Sequence, residues 1–176
     1  MVSARAFRIA TQCIKVDVTR PINNDRQTGR LVEMVEPTPV QRTLGFSAAL
    51  LFVISLLTGV YAGLAMTGKI PVDGHSALAS HLNALMGTFL LLGLGWTLPM
   101  LRYGEVGQKR LAFVFIATSF ANWIVTAVKA ALKVAGLAFI GKPANDAIFV
   151  ALQLTVVLPT LVASIAWVAG FKKTSR

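Results

Sequence analysis

Four long stretches of the sequence carry almost no charge, and they constrain the fold more than any other feature. These apolar runs lie at about residues 43–66, 77–101, 111–134 and 147–171. A helix rises about 1.5 Å per residue, so each run is long enough to cross most or all of a hydrocarbon core of about 30 Å. The sequence therefore predicts an all-α membrane protein built as a bundle of four transmembrane helices.

Composition and charge exclude several classes of protein. Only 14% of the residues are charged, whereas a soluble domain carries about a quarter. The net charge is +10, but the basic residues lie mostly outside the apolar runs and are not interleaved with aromatic side chains. That pattern favours membrane lipid as a partner and no nucleic acid. The single cysteine, Cys13, excludes an intrachain disulfide and a covalently attached c-type haem.

The positions of charges and breakers predict the organisation of the chain. Residues 1–42 are expected to form a polar, irregular extension, residues 43–171 the transmembrane domain, and residues 172–176 a basic tail. Lysine and arginine are concentrated before the first run, between the second and third, and after the fourth. The positive-inside rule then predicts that both termini are cytoplasmic, and we expect a bacterial inner membrane.

Polar residues are concentrated in the second and third runs. His81 lies near the start of the second run. Polar residues then recur in the third run at spacings of 3, 4, 3 and 4, which predicts one helical face for Ser119, Asn122, Thr126, Lys129 and Lys133. A polar group inside a bilayer costs free energy unless it has a partner or a function, so this pair of helices is the expected functional centre.

His81 is the strongest candidate for a ligand of a metal or haem, because neutral imidazole is common in both roles. The alternative is an interfacial histidine bonded to a backbone carbonyl. His75 is a rival, but it lies closer to the loop. No second histidine occurs deep in any predicted span, which disfavours a bis-histidine haem and leaves open a five-coordinate haem with one free face.

Other residues have both a structural and a functional interpretation. Asn122 is suited to bind a substrate or a propionate, or to bond another helix. Thr118 and Thr126 are suited to the same task, or to bonding their own helix backbone. Gly87 would leave room beside the second helix for a flat ligand, or would simply allow close packing.

The order of several short motifs resembles one family of membrane enzymes. The sequence has S-H-L at residues 80–82, Gly87 five residues later, L-P at residues 98–99, a short basic turn, and F-A-N-W at residues 120–123. This combination resembles the hydroxylaminobenzene mutase family, which is similar to styrene oxide isomerase. The resemblance covers about residues 43–171.

The resemblance implies a fold, a cofactor and a reaction. It implies a four-helix protomer, a homotrimer, and haem b bound near subunit interfaces with His81 as the axial ligand of the iron. It also implies a redox-neutral rearrangement of a small aromatic substrate, either an aryl hydroxylamine to an aminophenol or an epoxide to an aldehyde. In this family the iron would act as a Lewis acid.

Alignment on His81 assigns the remaining site residues by resemblance. Asn122 matches the family, and Asn122, Thr118 and Thr126 are the expected catalytic residues. Asn83, Gly87 and Trp123 are expected beside the cofactor. The chain departs from the family at three positions: Gly87 replaces a substrate-binding asparagine, and Thr118 and Thr126 replace an aspartate and a tyrosine of the epoxide isomerase. These departures favour the mutase reaction, or a related enzyme with another substrate. Asn83 is expected to replace the missing asparagine only in part, because helix geometry turns it about 200° from His81.

Two other classes of function stay open at the level of sequence. A small transporter or pore would use the polar face of the third helix to line a path. A haem-bearing redox or sensor subunit would bind the cofactor without turnover of its own.

Overall fold

Four long helices make up the part of the chain that the structure, a computed structural model, describes, which is residues 36–172. They are α1 (Pro39–Met66), α2 (Gly74–Met100, ending in a short 3-10 turn), α3 (Glu105–Leu132) and α4 (Pro143–Gly170). Residues 36–172 contain no strand, and all four helices are long and apolar enough to cross a membrane. The predicted all-α, four-span fold is confirmed. The expectations for residues 1–35 and 173–176 fall outside the described residues.

The helices begin several residues before the apolar runs, because capping groups and not hydropathy determine where a helix starts. Thr38 and Gln41 form a capping box at α1, with Thr38 N–H donating to Gln41 Oε1 at 2.9 Å. At α2, the Asp73 carboxylate accepts a hydrogen bond from the Ser76 N–H at 2.8 Å. The N-terminal turns of α1 and α2 are therefore polar and lie outside the runs that hydropathy detects.

One of the five polar residues that were predicted to share a face of the third helix lies outside α3. Lys133 is the C-terminal cap of α3 and has a left-handed backbone conformation with φ 53°. The expected five-residue face therefore ends at Lys129, in the last turn of α3. A chain that leaves the helical φ/ψ region no longer follows the 3-4 spacing that the prediction assumed.

The core lies between α1, α2 and α3. Their facing surfaces bury the large side chains of Leu44, Leu51, Leu91, Leu94 and Phe115 completely. The fourth helix is different: only 11% of its most apolar window is buried, compared with 39% for α2. Much of α4 is therefore free to face lipid or another protein chain.

The C-terminal half of α4 is fastened to the other helices by polar and aromatic contacts. The Tyr103 hydroxyl donates to the Ala166 carbonyl at 2.7 Å, and Trp167 Nε1 donates to Thr97 Oγ1 at 3.1 Å. The Trp167 ring also meets Phe115 edge-on, with centroids 5.7 Å apart. These contacts hold this end of α4 against both α2 and α3.

The N-terminal end of α4 is fixed by one buried amide. Asn145, which is 1% exposed, accepts a hydrogen bond from Gly136 N–H at 2.7 Å and donates to the Ala138 carbonyl at 2.7 Å. Gly136 has φ +59°, and a Cβ there would lie 2.5 Å from Ile148 Cγ2. These contacts therefore hold the loop after α3 against the first turns of α4.

Between these two ends, α4 changes its hydrogen-bond register. Gln153–Val157 form a single turn of π-helix, in which the Leu158 N–H bonds to the Gln153 carbonyl. Pro159, two residues after Val157, has no N–H to offer the preceding turn, which explains why the ordinary α register is interrupted here. Turns of this kind often occur at functional sites.

Candidate active site

A groove of about 570 Å³ lies between α2, α3 and the middle of α4. Its apolar wall includes Val156 and Val157 of the π-helical turn. Its rim includes Met86 and Leu161, which are 66% and 55% exposed, so the groove opens sideways toward lipid. The polar residues that line it are Asn83, Thr118, Ser119, Asn122, Thr160 and Ser164. All of them lie within the four helices that are long and apolar enough to cross a membrane, at least six residues from either helix end.

A network of amides and hydroxyls links α2 and α3 at one end of the groove. Asn83 Nδ2 donates to Asn122 Oδ1 at 3.2 Å and to Thr126 Oγ1 at 3.0 Å. Thr126 is buried, whereas Asn122 is half-buried. The three side chains are therefore joined across the helix interface, while Asn122 keeps one edge toward the groove.

The two neighbouring hydroxyls on α3 differ in their partners. Thr118 Oγ1 donates to the carbonyl of Phe115 on its own helix at 3.3 Å. Ser119 Oγ is buried and has no hydrogen-bond partner, and it is the one such side-chain atom found within residues 36–172. A buried polar group without a partner is rare, because it loses water without gaining a replacement.

Gly87 lines the groove, and of its two interpretations the structure has close packing and not open space. A Cβ on Gly87 would lie 2.7 Å from Leu51 Cδ2 and 3.1 Å from Ser119 Cβ. The volume that the missing side chain frees is filled by α1 and α3. This close approach allows the three helices to pack tightly at the floor of the groove.

His81 lies on the other side of α2, against α1. Its Nδ1 is 2.7 Å from the Ser55 carbonyl oxygen, and the Ser55 hydroxyl donates to the His81 carbonyl at 3.2 Å. A carbonyl oxygen only accepts, so Nδ1 is the donor in this contact, and in a neutral ring Nε2 then has a free lone pair. No described residue donates a hydrogen bond to Nε2.

Gly59 allows the imidazole of His81 to pack directly on the backbone of α1. A Cβ on Gly59 would lie 3.2 Å from both Cε1 and Nδ1 of the ring, whereas a Cβ on Gly63, one turn later, would meet nothing within 4 Å. A backbone carbonyl on one ring nitrogen, with the other nitrogen unpaired, is the arrangement that metal-binding histidines use. The contact is the one expected under the alternative given above, a histidine bonded to a backbone carbonyl, and the free Nε2 also makes the ring compatible with a metal ligand.

Trp123 also faces away from the groove. Its Nε1 donates to Thr58 Oγ1 at 3.0 Å, which joins α3 to α1. It lines a smaller cleft with Leu57, Tyr61 and Ala127. Trp123 is adjacent to Asn122 in sequence, but consecutive residues on a helix are turned by about 100° and point in different directions.

The structure brings most of the predicted site residues together, but not all of them. Asn83, Gly87, Thr118 and Asn122 line the groove, and Thr126 is joined to it through Asn83. His81 and Trp123 lie elsewhere in the same chain. Ser55, Gly59, Thr160, Ser164 and the π-helical turn were not predicted; Pro159 inside a helix was the one signal for the turn.

Taken together, the fold and the groove define a class: an integral membrane protein of four helices with a groove lined by uncharged polar and apolar side chains between them. A family model described as styrene oxide isomerase matches residues 40–172. This match spans all four helices, so the chain belongs to the styrene oxide isomerase family, whose members are isomerase-like membrane proteins. Comparisons with curated proteins and with solved structures found no match.

Proposed function

We propose that this protein is a haem b-dependent mutase that rearranges an aryl hydroxylamine to an aminophenol in the bacterial inner membrane. In this reaction the N–O bond breaks, a C–O bond forms on the ring, and a ring hydrogen moves to nitrogen, so no electrons are gained or lost overall. The observation that carries the proposal is the His81 ring, which is fixed by Ser55 and Gly59 and has Nε2 unpaired.

His81 Nε2 would hold the iron, and the Ser55 carbonyl would keep the imidazole in the tautomer that can bind it. When bound, a haem iron supplies a Lewis acid that polarises the N–O or C–O bond of a substrate. Trp123 and Gly87 are proposed to shape the space near the cofactor, as the family resemblance implies.

The groove would bind and orient the organic substrate. Its apolar wall of valines suits an aromatic ring, and Asn122, Thr118 and the Asn83–Thr126 pair offer hydrogen bonds to its polar end. A site at mid-depth in the membrane also excludes bulk water, which strengthens each of these hydrogen bonds.

The positions of His81 and the groove favour a homo-oligomer. His81 points toward α1, whereas Asn83, about 200° further around α2, points toward α3. A cofactor on His81 would not meet the groove of the same chain. We therefore propose a homo-oligomer in which His81 of one protomer faces the groove of its neighbour. The family resemblance implies that this oligomer is a trimer, and the positive-inside rule favours cytoplasmic termini.

Rearrangement of an aryl epoxide to an aldehyde is the second candidate, because the matching family model is that of styrene oxide isomerase. The groove lacks the acidic and phenolic groups that the epoxide isomerase places at the positions of Thr118 and Thr126. For that reason the hydroxylamine reaction is preferred.

The experiment that tests the cofactor is a visible spectrum of the purified protein. We expect a Soret band in the wild type, its loss in His81→Ala, and its retention in His75→Ala, a matched substitution at an exposed histidine. A colourless wild-type protein, or an unchanged spectrum in His81→Ala, would refute the proposal. Transport of a small solute that survives His81→Ala would instead indicate a transporter.

The reaction is tested with a panel of aryl hydroxylamines and aryl epoxides, followed by product analysis under anaerobic conditions. We expect aminophenols from the hydroxylamines, with turnover lost in His81→Ala and retained in His75→Ala. Aldehydes from the epoxides alone would favour the second candidate. Reduction by quinol without any rearrangement would indicate a redox or sensor subunit.

A further inference from the structure

The buried hydroxyl of Ser119 makes no hydrogen bond that would hold the fold together. Its oxygen makes no hydrogen bond to any described residue, although other buried hydroxyls, such as those of Ser80 and Thr88, donate to carbonyls of their own helix. Ser119 lies at the floor of the groove beside Gly87, where a Cβ would come within 3.4 Å of its Oγ. The floor therefore contains a buried donor that the chain itself does not use.

A second unused donor lies one turn further along α3. Asn83 donates to the Asn122 oxygen, which fixes the orientation of the Asn122 amide. The NH₂ group of Asn122 is then left with no acceptor among residues 36–172. Ser119 and Asn122 are three residues apart on one helix and therefore share a face, which is the face that lines the groove.

We propose that Ser119 is a specificity-determining residue, whose hydroxyl acts with the Asn122 amide as a donor pair for the acceptor oxygen of a neutral aromatic ligand. The proposal rests on the proposed function only for the aromatic nature of the ligand. It adds the chemistry by which this groove would select one: an uncharged oxygen at the end of a flat apolar body.

The rest of the groove supports a neutral ligand over an ionised one. Its described lining consists of apolar side chains, hydroxyls and amides, with no charged group to pair with a carboxylate or an ammonium. An unpaired charge at this depth would lose its hydration without compensation. A carbonyl or hydroxyl oxygen needs only the two donors that Ser119 and Asn122 leave free.

A pair of isosteric probes measures this selection directly. Acetophenone carries an acceptor oxygen where α-methylstyrene carries a CH₂ group, and neither needs to react. Binding of each to the purified full chain is measured by equilibrium dialysis, with ligand-free micelles as the blank. We expect the wild type to prefer acetophenone by about 10-fold, the effect of one or two net hydrogen bonds.

Ser119→Ala should reduce this preference to about 3-fold or less while leaving the affinity for α-methylstyrene unchanged. Ser119→Thr, which keeps the hydroxyl, should restore the preference. Ser80→Ala is the matched control, because it removes a buried hydroxyl that bonds its own helix and does not line the groove. The unchanged affinity for α-methylstyrene shows that each variant is folded.

The outcomes separate this proposal from the proposed function. The absence of a preference in the wild type, or an equal loss in Ser119→Ala and Ser80→Ala, would overturn the role of Ser119. If aryl hydroxylamines rearrange but the preference does not depend on Ser119, the function stands and this inference fails. If the preference depends on Ser119 but no compound rearranges, the donor pair stands and the proposed function fails.

Discussion

At the scale of single residues, Gly59 is the position at which we expect a substitution to weaken haem binding most, because the imidazole of His81 lies against it. Gly59→Ala would place a methyl group 3.2 Å from two ring atoms, closer than an ordinary van der Waals contact. The ring must then move away from α1, which stretches its hydrogen bond to Ser55. We expect haem affinity to fall by about 10-fold, as for other partners that orient a metal-binding histidine.

The control for Gly59→Ala is Gly63→Ala, four residues later on the same helix. A Cβ at Gly63 meets nothing within 4 Å, so this variant should bind haem like the wild type. Haem titration followed at the Soret band measures both variants. Equal affinities for the two would show that the contact between Gly59 and His81 is not needed for binding.

Residue spacing predicted the directions of some side chains and could not predict their partners. The count of about 200° between His81 and Asn83 correctly places them on opposite faces of α2. Their partners, Ser55 on α1 and Asn122 on α3, depend on how three helices pack, which no spacing within one helix encodes. Gly87 shows the same limit: the sequence allowed either open space or close packing, and only the packing of Leu51 of α1 decides between them.

At the scale of helices, the π-helical turn of α4 behaves as a one-residue insertion between two fixed ends. Deleting Thr155, an exposed residue in this turn, would convert it to ordinary α-helix and keep the contacts of Asn145 and Trp167 in register. We expect the melting temperature in detergent to stay within a few degrees of wild type. The groove should be altered, with acetophenone binding weakened by about 10-fold as Val156 and Val157 move.

Deleting Ile165 instead provides the contrast, because this exposed residue lies in a regular α-helical part of α4. The residues after it would turn by about 100° and lose the contacts of Trp167 with α2 and α3. Thermal unfolding should then begin at clearly lower temperature. Similar destabilisation by the two deletions would contradict the interpretation of Gln153–Val157 as a tolerated insertion.

The existence of all four helices was predictable, whereas their ends were less so. Hydropathy marks the part of a helix that lies in lipid, and it marks this part well in all four cases. The first turns depend on local capping groups, such as Thr38 and Asp73, that are polar and escape a hydropathy criterion. The π-helical turn needs both Pro159 and the tethered ends of α4, and only the first is visible in the sequence.

At the scale of the whole molecule, Asp73 connects three helices. It follows α1, its carboxylate caps α2, and its backbone N–H donates to the Ala130 carbonyl of α3 at 3.1 Å. Hydrogen bonds from the side chain and backbone of Ser76 lower the pKa of the Asp73 carboxyl below its usual value of 3.8. Folding therefore favours the ionised carboxylate.

The sign of the pH dependence follows from the lowered pKa of Asp73. The ionised Asp73 carboxylate stabilises the fold fully well above pH 3.8. This stabilisation is lost as the pH falls through the lowered pKa that the carboxyl has in the folded state. Asp73→Asn keeps a capping side chain without the charge. We expect its melting temperature to depend less on pH between 5 and 3 than that of the wild type; identical profiles would contradict this role.

The exposed rim of the groove, formed by Met86 and Leu161, has a consequence for how a reactant would arrive. A compound dissolved among acyl chains reaches this opening by lateral diffusion and crosses no aqueous mouth. Its local abundance is then governed by its partition coefficient, and water-soluble competitors are depleted before any side chain meets them. The bilayer would therefore select apolar compounds by partitioning before any of them contacts the protein.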